Sequence, residues 1–519
     1  MTDMAGGPGA SSAGRKKVVM IALDAGDQDV ILEGIERGEM PNLAKLQANG
    51  AYGQVGGLRG FGSGSNWASF CTGATPGKHS RYFYRQVGPG SYKARTFDGA
   101  DYQCDVFWQT ASDAGKRVAV IDAPTAPMTE DINGISIADW LTHDLVYQEL
   151  RTYPAELVEE ITDDFGQNPL WKCDRPGGRT EEEFVDLIAT LRARIATRTE
   201  GNRRFYQRDD WDLFFTTYSE THCVGHQCWH LHDTTHQLRA DGGVPEIDDP
   251  VRSVYRAIDD SIGDLLEHID DDTTVVVFTA TGMGPNYTGN MVVDELLRRI
   301  EGVEAMAKVK LTARLKRFAK RVLPNEIKRR YRPLKRQVEE AVQEGDRARR
   351  KVFAVPHNDL SGAVRLNIIG REASGILQPG DEVERFIEEL TRDLLDLRNL
   401  DTDEPLIREV IRVSDEVHGP HVDDMPDLLL LWNRSGYPDR VGSDKVGEVS
   451  LRHRGNRTGD HRPDHFFFAA GPTVEPGRVD DRSILDFAPT LMQIIGVDLP
   501  DTDGSVIPEL TRDPAASTS

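Results

Sequence analysis

Apolar residues along the chain fall into short bounded runs separated by longer amphipathic stretches. Val18–Leu23, Val118–Ile121, Leu213–Tyr218, Val275–Thr279 and Leu428–Trp432 are runs of strand length, each ending at a polar or turn-forming residue. A continuous apolar run of that length predicts a strand buried on both faces. Between the runs lie helical patterns at Asp29–Gly38, Glu181–Gln207 and Arg252–Ile269. Strands alternating with helices predict an α/β fold, a doubly wound and mostly parallel sheet with helices on both faces. Local punctuation agrees: Pro41-Asn42-Leu43 opens a helix that Gly50 closes, and Asp122-Ala123-Pro124 reads as a turn after a strand. No repeat with a period of 20–50 residues is present.

Composition narrows the classes. The chain has 519 residues, 38% of them in the set AVILMFWYC, with 48 Gly and 27 Pro spread throughout. That excludes global disorder and a coiled coil, and leaves enough apolar chain for a large core. The expected organisation is a Gly/Ala/Ser-rich tail over 1–15, one α/β domain over 16–505, and a C-terminal tail over 506–519. No apolar stretch reaches the roughly 18–20 residues of a membrane span, and the N-terminus lacks a signal-peptide core. Cys71, Cys104, Cys173, Cys223 and Cys228 form an odd, sparse set without CxxC spacing. Such a set predicts a reducing compartment, and the cytoplasm is the expected location.

Charge changes the picture twice. A net charge of −23 repels nucleic-acid backbones, so general DNA or RNA binding is not expected. Yet residues 308–351 hold 17 basic against 5 acidic residues. They read as basic helices broken by Pro324 and Pro333, forming an insertion or cap over about 300–352. Two accounts stand: a solvated helical face, or an anion-attracting patch. The patch would be a lid over a site or a peripheral contact with an acidic lipid or partner surface.

In open parallel sheets, ligands gather beyond the carboxyl ends of the strands. Asp24 follows Val18–Leu23, Glu220, His222 and His226 follow Leu213–Tyr218, and Thr279-Ala280-Thr281-Gly282 closes the run that begins at Val275. If these strands are parallel neighbours, the three clusters converge on one edge. The spacing of four places His222 and His226 on one helix face, as a metal pair requires. The alternative is a pair of structural histidines in a stretch that also holds His230, His232 and His236. Gly62-Ser63-Gly64-Ser65-Asn66 precedes the helical Trp67–Thr72, where free amides stabilise an anion and a hydroxyl can serve as nucleophile beside a metal; it also reads as a plain Gly/Ser loop with an N-cap. Gly73–His79 departs from a phosphate-binding NTPase loop in spacing and in carrying His at the Ser/Thr position. Thr458-Gly459-Asp460-His461-Arg462 reads as a solvated polar loop before the apolar run Phe466–Ala470; the alternative is a loop that brings a third imidazole to the site.

Taken in order, several stretches resemble the type I phosphodiesterase/nucleotide pyrophosphatase branch of the alkaline phosphatase superfamily. They are Ile21-Ala22-Leu23-Asp24, Met40-Pro41-Asn42-Leu43, Trp67–Gly73 with Pro76-Gly77-Lys78-His79, Pro356–Leu360, His418-Gly419-Pro420 with Pro426-Asp427-Leu428, and Gly459–Pro463. The resemblance implies an alkaline-phosphatase-like fold and a metal-dependent hydrolase of phosphodiester or pyrophosphate bonds. Its substrate would be a phosphorylated small molecule, and the reaction would pass through a covalent intermediate. It places the nucleophile on Ser63, with Ser65 as fallback, and a phosphate contact on Asn66. It gives Asp24 to one metal and His226 and His461 to the other.

Two departures from the family's pattern matter. Asp-x-x-x-His reads here as His222-x-x-x-His226, and three imidazoles with an open position still suit Zn²⁺. The Asp-His pair that should precede Gly282-Met283-Gly284 reads Ala280-Thr281, so the site of Asp24 and Ser63 lacks two expected ligands. One zinc site is therefore expected, with the second metal in doubt; Lys78, Arg81, Arg462 and the basic insertion are the cations that could replace its charge. The loss also admits a non-catalytic relative that binds a phosphorylated ligand or partner. A sulfatase or phosphomonoesterase of the same superfamily is the remaining alternative, although no Cys/Ser-x-Pro-x-Arg motif is present.

Overall fold

The computed structural model describes residues 16–513 except 98, 144–146, 148, 171, 175–177, 240–248, 304–339, 359 and 452–456. The N-terminal tail, Asp359, residues 514–519 and most of the basic segment 308–351 lie outside the described residues. Its described end, from Glu340, is packed: Arg350 is buried and pairs with Asp294 at 2.7 Å and Glu301 at 3.0 Å. Ile507 and Leu510 are also buried, so packed chain extends past residue 505.

The strand Lys17–Leu23 lies at the centre of the main sheet, and all seven of its residues are buried. It pairs in parallel with Leu213–Tyr218 on one side and Thr273–Thr279 on the other. Val118–Ile121 and then Gly134–Ala138 continue the parallel order beyond Leu213–Tyr218. Past Thr273–Thr279 the sheet turns antiparallel at His465–Ala470, which pairs with Ala51–Gly56. The α/β architecture is thus mostly parallel, with an antiparallel margin.

Alternation along the central strand divides the core into two layers. Val19, Ile21 and Leu23 face a cluster that includes helices Gln28–Glu36, Pro41–Asn49, Glu181–Tyr206, Glu220–His232 and Pro250–Leu266. Val18, Met20 and Ala22 face helices Ser63–Thr72, Phe107–Asp113 and Phe487–Ile494. Burying such a Val, Ile or Leu stabilises the fold by about 1.5–3 kcal/mol relative to leaving it in water.

Leu428–Trp432 is not in this sheet. It joins Val352–Val355, Ser361–Leu366 and Ile407–Arg412 in a separate four-stranded antiparallel sheet with its own apolar cluster. An apolar run shows that a strand is buried but says nothing about which sheet buries it. A further cluster, with Phe61 and Tyr82 packed among Phe353, Ala363 and Leu429, ties this lobe to the segments flanking helix Ser63–Thr72.

Candidate active site

The three strands that end at polar clusters are neighbours in parallel register, so their carboxyl ends share one edge. At that edge the Asp24 amide donates to the Tyr218 carbonyl at 3.0 Å, and Thr221 Oγ1 donates to the Asp24 carbonyl at 2.6 Å. These bonds tie the end of the central strand to the start of helix Glu220–His232. His222 and His226 lie one turn apart in that helix, both buried.

His461 arrives from a different direction. Gly459–Arg462 is a short strand, not the polar loop the sequence predicts, and it pairs antiparallel with Gly282–Pro285 in a register that sets Met283 against His461. The polar sequence Gly-Asp-His-Arg carries no strand signal of its own; the partner strand imposes the conformation. Gly459 lets this strand lie against the histidine helix, because a Cβ there would stand 2.2 Å from the Gly225 carbonyl oxygen.

The three imidazoles meet. His226 Nε2 lies 3.1 Å from His222 Nε2 and 3.2 Å from His461 Nε2. The edge of a tetrahedron with metal–nitrogen bonds of 2.0–2.1 Å is about 3.3 Å, so the spacing is that of donors sharing one ion. The His226 Nδ1–H donates to the Gly459 carbonyl at 2.8 Å, which leaves the Nε2 lone pair facing its neighbours. Burial first, and then neighbouring His226, holds the His222 imidazole well below its ordinary range. Burial, followed by the Arg457 charge and His461, does the same to His226. Neutral, converging imidazoles are the form that ligates Zn²⁺.

The other singled-out residues take separate places. Glu220 makes a buried ion pair with Arg194 at 3.0 Å and is occupied structurally. Asp24 is buried, and its Oδ1 accepts from Trp67 Nε1 at 3.1 Å, which fixes helix Ser63–Thr72 against the strand end. That helix begins at Ser63 rather than at Trp67, with Gly62 as a cap whose side chain can accept nothing. Ser65 and Asn66 amides already donate to the Gly62 carbonyl, so the amides of Ser63 and Gly64 are the ones turned out of the first turn. Ser63 is 8% exposed, whereas the fallback Ser65 is wholly buried. Asn66 is also fully buried, with Nδ2 2.9 Å from His465 Nε2 and 3.4 Å from the Ala280 carbonyl. Ala280 offers no donor atom, and the buried Thr281 Oγ1 has no partner among the described residues.

Of the cations, Arg81 stands beside the first turn. A Cβ at Gly64 would lie 3.9 Å from Arg81 Nε and 4.0 Å from Nη2, and Nε has no partner among the described residues. Its Nη1 donates to the Thr125 carbonyl at 3.0 Å, and its guanidinium lies over Phe97 and Tyr102. Lys78 instead pairs with Asp503 at 2.5 Å, and Arg462 with Asp464 at 2.7 Å.

Asp27 is a supporting residue that sequence reasoning overlooked. It caps helix Gln28–Glu36, and its Oδ2 accepts from the Met283 amide at 3.2 Å. An Asp one residue before a helical pattern is a cap signature, which was the available signal. Burial pushes its carboxyl up to about 6.

A family model described as type I phosphodiesterase/nucleotide pyrophosphatase matches residues 18–382. Among solved structures, phosphonoacetate hydrolase from Sinorhizobium meliloti 1021 in complex with phosphonoacetate is similar at 15% identity, over 93% of this chain and 95% of that one, with a TM-score of 0.54. Murine ectonucleotide pyrophosphatase/phosphodiesterase 5 aligns at 13% identity over 94% of this chain and 98% of that one, with a TM-score of 0.47. The phosphonoacetate hydrolase likeness shows a shared fold. No curated protein sequence matches the chain. Among the described residues, no helix is long and apolar enough to cross a membrane.

Proposed function

The chain belongs to the type I phosphodiesterase/nucleotide pyrophosphatase family of the alkaline phosphatase superfamily, a family of phosphoric ester hydrolases, and we propose on that premise that it cleaves a phosphodiester or pyrophosphate bond of a phosphorylated small molecule with one Zn²⁺ at His222, His226 and His461. The observation that carries this reading is the contact of three buried Nε2 atoms drawn from two separate elements. Bound there, Zn²⁺ supplies Lewis-acid polarisation of a phosphoryl oxygen.

The chain's own residues supply the rest. Ser63, 8% exposed at the first position of its helix, is the nucleophile. The outward amides of Ser63 and Gly64, and the Nε of Arg81, which has no partner among the described residues, receive the negative charge of the phosphoryl group. Asp24 orients the helix through Trp67, and Asn66, engaged with His465 and Ala280, positions the first turn rather than reaching substrate. The missing carboxylate and imidazole at Ala280 and Thr281 leave no second ion beside Asp24 in this scheme. The same feature favours one alternative, a relative that binds a phosphorylated ligand without turning it over.

The acidic chain fits a small-molecule substrate and no nucleic acid. Five free cysteines fit a cytoplasmic protein. The test is zinc content measured together with a screen of phosphomonoester, phosphodiester and sulfate-ester substrates. Hydrolysis of a phosphodiester by the zinc-loaded protein is expected; bound zinc with no turnover of any ester would favour the binding alternative.

A further inference from the structure

Beside the three-histidine group lies a second set of donors. His143, Cys173 and Cys223 come from three separate segments, yet an imidazole nitrogen and both Sγ atoms all lie within 4.8 Å of one another. Cys173 Sγ is 3.1 Å from His143 Nδ1. Cys223 follows His222 in the histidine helix, and the His143 and His222 ring centroids are 4.5 Å apart. Both cysteines are wholly buried, and both are free.

Two buried thiols that pack as small hydrophobes have no need of each other or of an imidazole. Here they share a polar cluster, and its dimensions suit an ion. With metal–sulfur bonds of 2.3 Å, a tetrahedral site has sulfur–sulfur edges of about 3.8 Å and sulfur–nitrogen edges of about 3.6 Å. The three donors lie within 4.8 Å of one another, against those edges. The buried Arg194 pairs at 3.0 Å with Glu220, in the same helix that carries Cys223. Arg179 Nη2 donates to the Cys173 carbonyl at 2.6 Å and fixes that end of the cluster.

We propose that Cys173, Cys223 and His143 form a second metal site, for a thiophilic divalent ion of which Zn²⁺ is the foremost, adjoining the three-histidine group through His222. Soft sulfur with imidazole selects Zn²⁺ over Mg²⁺ or Ca²⁺. Three protein donors leave one position open to water or another ligand. This inference does not depend on the hydrolase reading, because it concerns donors that the reading leaves unused.

The test uses the full chain loaded with Co²⁺, and in parallel with Zn²⁺. The wild-type protein should show sulfur-to-cobalt charge-transfer absorption in the near ultraviolet and bind two zinc ions. Cys173→Ser/Cys223→Ser should lose the absorption and one zinc, while His226→Ala should keep the absorption and lose the other zinc. In the unmutated protein, both thiols should resist alkylation with zinc bound and react after chelation, a readout that needs no variant to fold. Absence of the charge-transfer band in wild type, equal alkylation with and without zinc, or a Cys173–Cys223 disulfide in the purified protein would each overturn the proposal. None of these readouts requires ester turnover, so failure of the hydrolase reading stays separate.

Discussion

Met283 and His461 are register partners across a short antiparallel pairing, and the Met283 amide is held by the buried carboxylate of Asp27. One imidazole of the candidate zinc site therefore depends on a residue that caps a helix elsewhere in the fold. Burial raises the Asp27 carboxyl from 3.8 to about 6. A raised acid binds its proton more tightly in the folded state, so its stabilising contribution is full below about pH 4 and is lost as pH rises toward 6. The difference in unfolding free energy between wild type and Asp27→Asn should shift against wild type across that window, by on the order of 3 kcal/mol in total. A pH-independent difference would show that Asp27 titrates normally.

Gly459 permits the approach of the His461 strand to the histidine helix. In Gly459→Ala the new Cβ would meet the Gly225 carbonyl and Trp229 Cβ, at 2.2 and 2.8 Å. A loss of about 1–3 kcal/mol in stability is expected, accompanied by weaker zinc binding although every ligand remains. Isothermal titration with a competing chelator checks the second effect.

The fold was legible where buried runs are long and apolar. Leu213–Tyr218 and Val118–Ile121 are strands over the residues their patterns mark, and the neighbouring parallel strands bring the polar clusters to one edge. Leu428–Trp432 is equally apolar and lies in another sheet, because periodicity carries no pairing information. Ser63 begins a helix although Gly and Ser dominate its first turn; the anchors are the distant partners of Trp67 and Asn66, namely Asp24, His465 and Ala280. The i, i+4 histidines were readable from the sequence. The meeting with His461 was implied only by the family resemblance, since no local pattern marks a polar strand that only its partner creates. The cluster of Cys173, Cys223 and His143 was invisible for the same reason: its members are neighbours only through tertiary packing.

The His-rich helix separates ligands from structural histidines. His226→Ala should remove one zinc and reduce turnover below detection. His232, whose Nδ1 lies 2.8 Å from the Asp249 carboxylate, belongs to neither donor group. His232→Gln should leave metal content unchanged. Elemental analysis of the two purified variants distinguishes them, and equal zinc loss in both would contradict the assignment.

Arg81 is the cation placed to receive phosphoryl charge. Arg81→Met should lower kcat/KM toward a phosphodiester by roughly 10²–10³, with zinc content unaltered. Because Arg81 also donates to the Thr125 carbonyl, its thermal midpoint must be followed alongside. Arg81→Lys, which keeps the charge but loses the planar fork, should recover part of the rate.

The most direct measurement is turnover of bis-p-nitrophenyl phosphate by Ser63→Ala, made on protein whose zinc has been quantified. Loss of turnover with zinc equal to that of wild type is the predicted result. Hydrolysis at the wild-type rate would remove Ser63 from the chemistry and with it the pairing of a histidine-held ion and a serine hydroxyl.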